Sequence, residues 1–353
     1  AVAPAVSNLA YILFIVATMK DLTIWNLSAA VLIGGACHMI LQWYWCGRMG
    51  LVLTPSMPKR KNEELKSMMY LFFPYAAGLS LNQVNPVISR MFGSFLTGGS
   101  ISVLTYADRV LQLPLGLFVI AISQAVLPML SRQDPEDRAG FRDFIRDALR
   151  FDLFVILPVS VGLFALSQET VHILFFRGAF TEWAWHATGT ALAIYGLGLP
   201  GMASSTVILR AMYARRMPRG AVGVTGVTVT VNLAACTLLM PAFKYAGLAG
   251  ATALAFTCSS FYGAWALSRD LSEPLGVFGL KWTAKIFFST ALMFLALNIL
   301  KMLLPYPLSA SVLMRAGWLA AMIFAGVALY SLSTILLRCS EWGWIKDALK
   351  KKK

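Results

Sequence analysis

Charged side chains buried in apolar sequence are the residues of this chain best placed to do chemistry. Asp108 and Arg109 stand side by side in Ser102-Val103-Leu104-Thr105-Tyr106-Ala107-Asp108-Arg109, well inside a long apolar run. A charge at membrane depth costs at least about 2.5 kcal/mol, so it must face a cavity or a partner. Adjacent helical positions diverge by about 100°, so the two need not satisfy each other. Two readings stay open: an interhelical ion pair, or a guanidinium whose planar fork of donors meets phosphate oxygens in a wet cavity. Arg210 lies near the end of another apolar run, where it can bind an anion or snorkel to the interface. Arg90, with Asn82, Gln83 and Asn85, gives a third run a polar half suited to line a cavity. Arg109, Asp108, Arg210 and Arg90 are therefore the candidate substrate-binding residues.

Other chemistry is sparse. Cys37, Cys46, Cys236, Cys258 and Cys339 are scattered without CxxC spacing, so neither a metal site nor a disulfide framework is indicated. His38, His172 and His186 are far apart and suggest no catalytic constellation. No P-loop or GxSxG occurs. The chain is not expected to be an enzyme or to carry a cofactor or a metal. Proline and glycine concentrate at Pro114–Gly116 and Gly196–Gly201, which read as kinks or moving parts in membrane helices.

The elements that hold these residues follow from composition. The chain has 353 residues, 58% hydrophobic and only 13% charged, with a net charge of +14. Soluble domains carry about 25% charged residues. Disorder, a coiled coil, a soluble enzyme and a soluble nucleic-acid binder are all disfavoured, and no nucleic-acid partner is expected. What remains is an all-α polytopic membrane protein. A bilayer core takes about 20 apolar residues as helix, and ten runs qualify. They are Val2–Met19, Leu27–Cys46, Ser67–Ser89, Ser100–Leu130, Asp152–Phe175, Trp183–Leu209, Ala221–Phe243, Ala246–Leu267, Trp282–Leu304 and Leu308–Leu337.

The basic residues then set an orientation. Of 30 Lys and Arg, 22 fall in connections after even-numbered runs, from Arg48 to the terminal Lys350–Lys353, and six fall on the other side. The side rich in Lys and Arg is expected to be cytoplasmic, the C-terminus with it. The terminal lysines suit anionic lipid headgroups. Phe141, Ile145 and Leu149 alternate with Arg138, Arg142, Arg146 and Arg150, which predicts an amphipathic helix lying on that membrane face. The chain lacks an initiator Met and enters an apolar run almost at once, so a longer protein is expected.

One stretch is specific enough to resemble a family. Gly99-Ser100-Ile101-Ser102, Tyr106-Ala107-Asp108-Arg109-Val110-Leu111-Gln112-Leu113-Pro114-Leu115-Gly116-Leu117-Phe118 and Val126-Leu127-Pro128-Met129-Leu130-Ser131-Arg132 closely resemble the signature of the MurJ (MviN) lipid II flippases. Phe176-Arg177-Gly178-Ala179-Phe180-Thr181, Arg210-Ala211-Met212-Tyr213-Ala214-Arg215 and Ala246-Gly247-Leu248-Ala249 agree in order. The resemblance implies a fourteen-helix, two-lobe flippase fold of which this chain holds the last ten helices, its C-terminal two-thirds. Residues 1–66 would be the last two helices of the first lobe with a basic linker. Residues 67–268 would be the second six-helix lobe, and 269–353 the C-terminal pair with its lipid-tail groove and basic tail. The implied work is moving lipid II, an undecaprenyl-pyrophosphate-linked disaccharide peptide, from inner to outer leaflet of the bacterial inner membrane by alternating access. Arg109 would meet the headgroup. Membrane lipids and cell-wall synthesis proteins are the implied partners. Another exporter of the same superfamily, for polysaccharide-lipid or drugs, or a fragment without activity, is the alternative. Ser89 stands where many relatives carry Asp, and Asn232 and Cys236 where relatives can carry further polar or acidic residues, so no sodium site is assigned.

Overall fold

Inside a bilayer each backbone N–H and C=O needs a partner within its own segment. This chain meets that need with helices, and there is no strand among the described residues. The computed structural model describes residues 3–19, 23–50, 69, 84–124, 137–215 and 217–343. Much of the linker with Lys59, Arg60, Lys61 and Lys66 lies outside the described residues. So do Lys20, Asn82, Gln83, the motif's end at Pro128–Arg132, Arg216 and the lysines from Lys346 onward.

Two units are described separately, residues 1–73 and 74–353. In the first, α1 (Ala3–Ala17) packs on α2 (Ile24–Arg48). Thr23 caps α2, its Oγ1 accepting from the Asn26 N–H at 3.3 Å. Gly34 lets the two backbones meet, since a Cβ there would stand 3.0 Å from the Ser7 carbonyl oxygen.

The second unit holds α3 (84–94), α4 (Ser100–Gln124), α5 (Arg138–Ala165), α6 (Ser167–Phe175), α7 (Glu182–Ala214), α8 (Pro218–Leu271), α9 (Leu280–Leu303) and α10 (Val312–Leu336). Among the described residues of the whole chain, seven helices are long and apolar enough to cross a membrane, where the sequence led us to expect ten runs. The 15-residue α1 is too short for that criterion, and most of Ser67–Ser89 lies outside the described residues. The 54-residue α8 holds two of the runs. Its backbone leaves the helical region at Lys244 (φ 50°, ψ −128°). Gly223 and Val224 lie against Tyr262 and Gly263, while Leu239 lies against Gly247. The partners approach each other in number toward Lys244, so α8 is an antiparallel helical hairpin.

Small residues set the spacing between α7 and the second arm of that hairpin. A Cβ on Gly198 would stand 2.6 Å from the Ala253 Cβ, and one on Gly201 would stand 2.7 Å from the Thr257 Oγ1. The cluster forms a close-packing stripe, of the kind that lets membrane helices approach. Pro200 sits inside an unbroken helix. At Pro114 the other cluster does distort its helix. The missing N–H and the ring's clash with the preceding turn are followed by a π-helical segment at Leu115–Ile120.

The amphipathic helix expected on the membrane face is instead the first half of α5. Phe141, Ile145 and Leu149 are buried in a core shared with α7, α8 and α9. Three of its four arginines are held by the α8–α9 connection, and Arg146 pairs with Asp143 and Asp147 of α5 itself. Arg150 donates to the carbonyls of Gly276 and Val277, both at 2.9 Å, and stacks over Trp282. Arg142 pairs with Glu273. Burial of the apolar face and capture of the guanidinium groups leave no free amphipathic surface to lie on lipid.

The last two helices join the same core. Lys301 of α9 donates to the Ala165 carbonyl at 2.8 Å and pairs with Glu169 of α6 at 2.6 Å. Tyr330 of α10 donates to the Phe154 carbonyl at 2.8 Å. Arg315 and Tyr306 both reach the Nδ1 of His172, at 3.2 and 2.9 Å. Arginine only donates, so this Nδ1 accepts. Large apolar side chains point outward: Leu313 and Met302 are 83% exposed and Phe324 75%. Such a surface belongs against hydrocarbon.

Candidate functional site

A cavity of about 520 Å³ lies between α3, α4, α7 and the second arm of α8. Helical spacing brings its walls together. Ile101, Thr105, Asp108, Gln112 and Leu115 recur at three- and four-residue steps along α4, and Asn85 and Ser89 share a face of α3. Three of the four candidates, Arg90, Asp108 and Arg109, line this one space. Arg210 does not. It lies eight residues beyond Met202, the cavity's last α7 residue, or about 12 Å along the helix. A charge near a helix end reads the same in sequence whether it lines a cavity or reaches for the interface, and here the cavity ends first.

The polar groups are arranged to keep the guanidinium groups available. Among the described residues neither Arg90, Asp108 nor Arg109 takes part in an ion pair, so no interhelical pair of the kind left open above is seen among them. Among those residues Asp108 receives a long contact from the Gln112 amide, 3.5 Å. All three charged side chains are exposed to the cavity rather than folded into the core. Two arginines against one carboxylate leave a net positive wall. Behind it, the Asn232 amide donates to Asn85 Oδ1 at 3.2 Å, and Cys236 Sγ stands 3.7 Å from Asn232 Oδ1. These are neutral groups that pair with one another. They tie α3 to α8, and none of them supplies a carboxylate. No cluster of metal-ligating side chains occurs among the described residues.

A second cavity, of about 490 Å³, is almost wholly apolar. Leu117 and Phe118 of α4, Pro158 of α5, Met293 of α9, and Met322 and Val327 of α10 line it. The two cavities share a partition. Leu111, Gln112 and Leu115 face the arginines, while Leu113, Pro114 and Leu117 face the apolar space. The distorted turn at Pro114 thus separates a cationic chamber from a hydrocarbon-like one. Together they suit an amphiphile with an anionic head and a long apolar tail.

Tyr195 and Thr252 also line the first cavity and carry no sequence signal of their own. Thr105 and Gln112 were within reach of sequence reasoning, as they sit three and four positions from Asp108. The histidines stay outside both cavities: His172 serves the packing of α9 and α10, and His38 contacts Gln42 at 2.8 Å within α2.

Comparison with known proteins follows this geometry. The family model described as lipid II flippase MurJ matches residues 1–337. The probable lipid II flippase MurJ of Rhizobium tropici is 29% identical over 342 residues, covering 94% of this chain and 62% of that protein. Its counterpart in Rhizobium meliloti strain 1021 is 30% identical over 320 residues, 87% of this chain and 57% of that one. A solved structure of a lipid II flippase MurJ in an inward closed conformation aligns with a TM-score of 0.77 at 25% identity, covering 95% of this chain and 67% of that chain. The chain spans about three-fifths of the length of the curated relatives it matches.

Proposed function

Because the chain belongs to the family of lipid II flippases called MurJ, we propose that it carries lipid II from the inner to the outer leaflet of the bacterial cytoplasmic membrane. Arg109 and Arg90 hold the pyrophosphate, with Asp108 and Gln112 beside them for the sugar and peptide groups. The undecaprenyl chain lies in the apolar cavity between α4, α5, α9 and α10. Alternating access around the first cavity moves the headgroup, and no bond is made or broken.

One observation carries this reading: two arginines without ion pairs among the described residues line a chamber that shares one helical turn with an apolar chamber. A cationic drug would meet a repulsive wall there, which disfavours a drug exporter. The wider arrangement belongs to the same proposal. The chain's spans correspond to the last ten of a fourteen-helix, two-lobe fold, with the C-terminus cytoplasmic on the side rich in Lys and Arg.

The test is export. In cells depleted of their own flippase, expression of the native protein should restore the lipid II exposed on the outer leaflet, read by its accessibility to an externally added lipid II-cleaving enzyme. Normal insertion without restored exposure would overturn the assignment.

A further inference from the structure

A third cavity, of about 630 Å³, lies between the connection from α3 to α4 and the connection from α6 to α7. It shares no lining residue with the two cavities described above. The sequence places both connections opposite the basic loops, on the side where a transported headgroup would be released.

Its walls are built. Tyr106 packs against Phe175 and Phe180 with ring centroids 4.8 and 5.5 Å apart. Trp183 is fixed between Tyr245, at 6.1 Å and nearly perpendicular, and Gly99. Gly99 has φ +93°, and a Cβ there would stand 3.1 Å from the indole, so only glycine allows the ring to close down. Trp183 and Tyr106 nevertheless remain 46% and 40% exposed. Arg177 stands on the turn made by Gly178 (φ +62°) and joins no ion pair among the described residues. Thr188 forms part of the wall and is fully buried, yet its Oγ1 has no hydrogen-bond partner among the described residues. A buried hydroxyl without a partner is costly and calls for a ligand to satisfy it. An aromatic platform with a few convergent polar groups, in a volume between about 300 and 1,000 Å³, is the make-up of a small-ligand site.

The ligand chemistry follows from those groups. The C–H faces of a sugar ring stack on the negative faces of aromatic rings. Sugar hydroxyls and amides match Thr188 and Ser102, and a guanidinium forks onto a carboxylate. We propose that this cavity binds an acidic amino-sugar glycan, the headgroup of the transported lipid on the side where it is released; the source of that glycan rests on the function proposed above. α4 lines both polar chambers, with Asp108 and Arg109 facing the first and Ser102 and Tyr106 the third. A headgroup leaving the first would meet the third along the same helix.

The experiment uses a dansyl-labelled disaccharide peptide that lacks pyrophosphate and lipid, with binding to the purified native protein in nanodiscs read by fluorescence anisotropy. Saturable binding is expected, displaced by unlabelled disaccharide peptide and not by undecaprenyl phosphate. Arg177→Gln should weaken it at least about tenfold, as loss of a charge-assisted contact does. Trp183→Leu should do the same, and the isosteric Thr188→Val should weaken it several-fold without disturbing the fold. Arg219→Gln, exposed at the start of α8 and lining none of the three cavities, should leave it intact. If the protein binds lipid II but not the soluble glycan, or binds the glycan equally well in Arg177→Gln and Trp183→Leu, the third cavity is no such site and the transport reading stands. If the glycan binds and these variants lose it, but lipid II does not bind, the cavity is a receptor for free saccharide and the transport reading falls.

Discussion

Arg109 differs from Arg215 and Arg150 in what surrounds it. Arg215 has Asp270 at 2.7 Å, and Arg150 has two carbonyls and an indole. Arg109 has a cavity. Replacing it with lysine keeps the charge and loses the fork, so Arg109→Lys should bind lipid II more weakly than wild type and more tightly than Arg109→Ala, as titration of the purified variants would show. Asp152 is the opposite case. It is fully buried in α5, and neither carboxylate oxygen has a hydrogen-bond partner among the described residues. A buried carboxyl group is costly unless it is paired. Asp152→Leu should therefore stabilise the fold by on the order of 1 kcal/mol and raise the thermal unfolding midpoint; a fall would mean that the carboxylate has a partner. At this scale the sequence was informative wherever charge interrupts apolar sequence, which is how Asp108, Arg109 and Arg90 stood out. Tyr195 and Thr252 could not be found that way. Neutral polar residues are common in membrane helices, and only the packing of α7 and α8 on α4 brings these two to the cavity. Arg210 does not line the cavity with the other three, and its depth is ambiguous from sequence.

Helices are held apart or together here by side chains no larger than a methyl group. Gly201 meets the Thr257 backbone at 2.8 Å from a would-be Cβ, whereas Gly226 has open space. Gly201→Ala should cost about 1–3 kcal/mol of stability through overpacking. Gly226→Ala should gain up to about 1 kcal/mol through helix propensity; thermal unfolding in detergent compares the two. The tie between α6 and α9 is polar. Lys301→Met strands Glu169, whose second oxygen already lacks a partner, and should lower the unfolding midpoint. Lys301→Met combined with Glu169→Gln should recover most of the loss. The hairpin in α8 was legible, because the polar break near Lys244 separates two apolar runs. The fate of the α5 arginines was not. Their spacing is that of a membrane-surface helix, and only the fold shows that residues 272–277 fold back to take three of them. Gly196–Gly201 is ambiguous in sequence for a related reason, since glycine marks close packing and hinges alike.

At the scale of the molecule, residues 74–353 place apolar helices around a cationic chamber, and the proposed topology gathers the basic residues on one side of the membrane. Single cysteines placed at Glu273 and Ser309 in a cysteine-free background should be labelled from opposite sides by a membrane-impermeant thiol reagent, position 273 from the cytoplasm. Labelling from the same side would break the alternation on which the topology rests. The most direct test of the central claim is lipid II binding to the purified native protein, measured for wild type, Arg109→Ala and Arg210→Ala. Arg109→Ala is predicted to bind at least about tenfold more weakly, with Arg210→Ala within about twofold of wild type, as expected of a side chain at the interface. Equal affinity in wild type and Arg109→Ala, or a larger loss in Arg210→Ala, would contradict it.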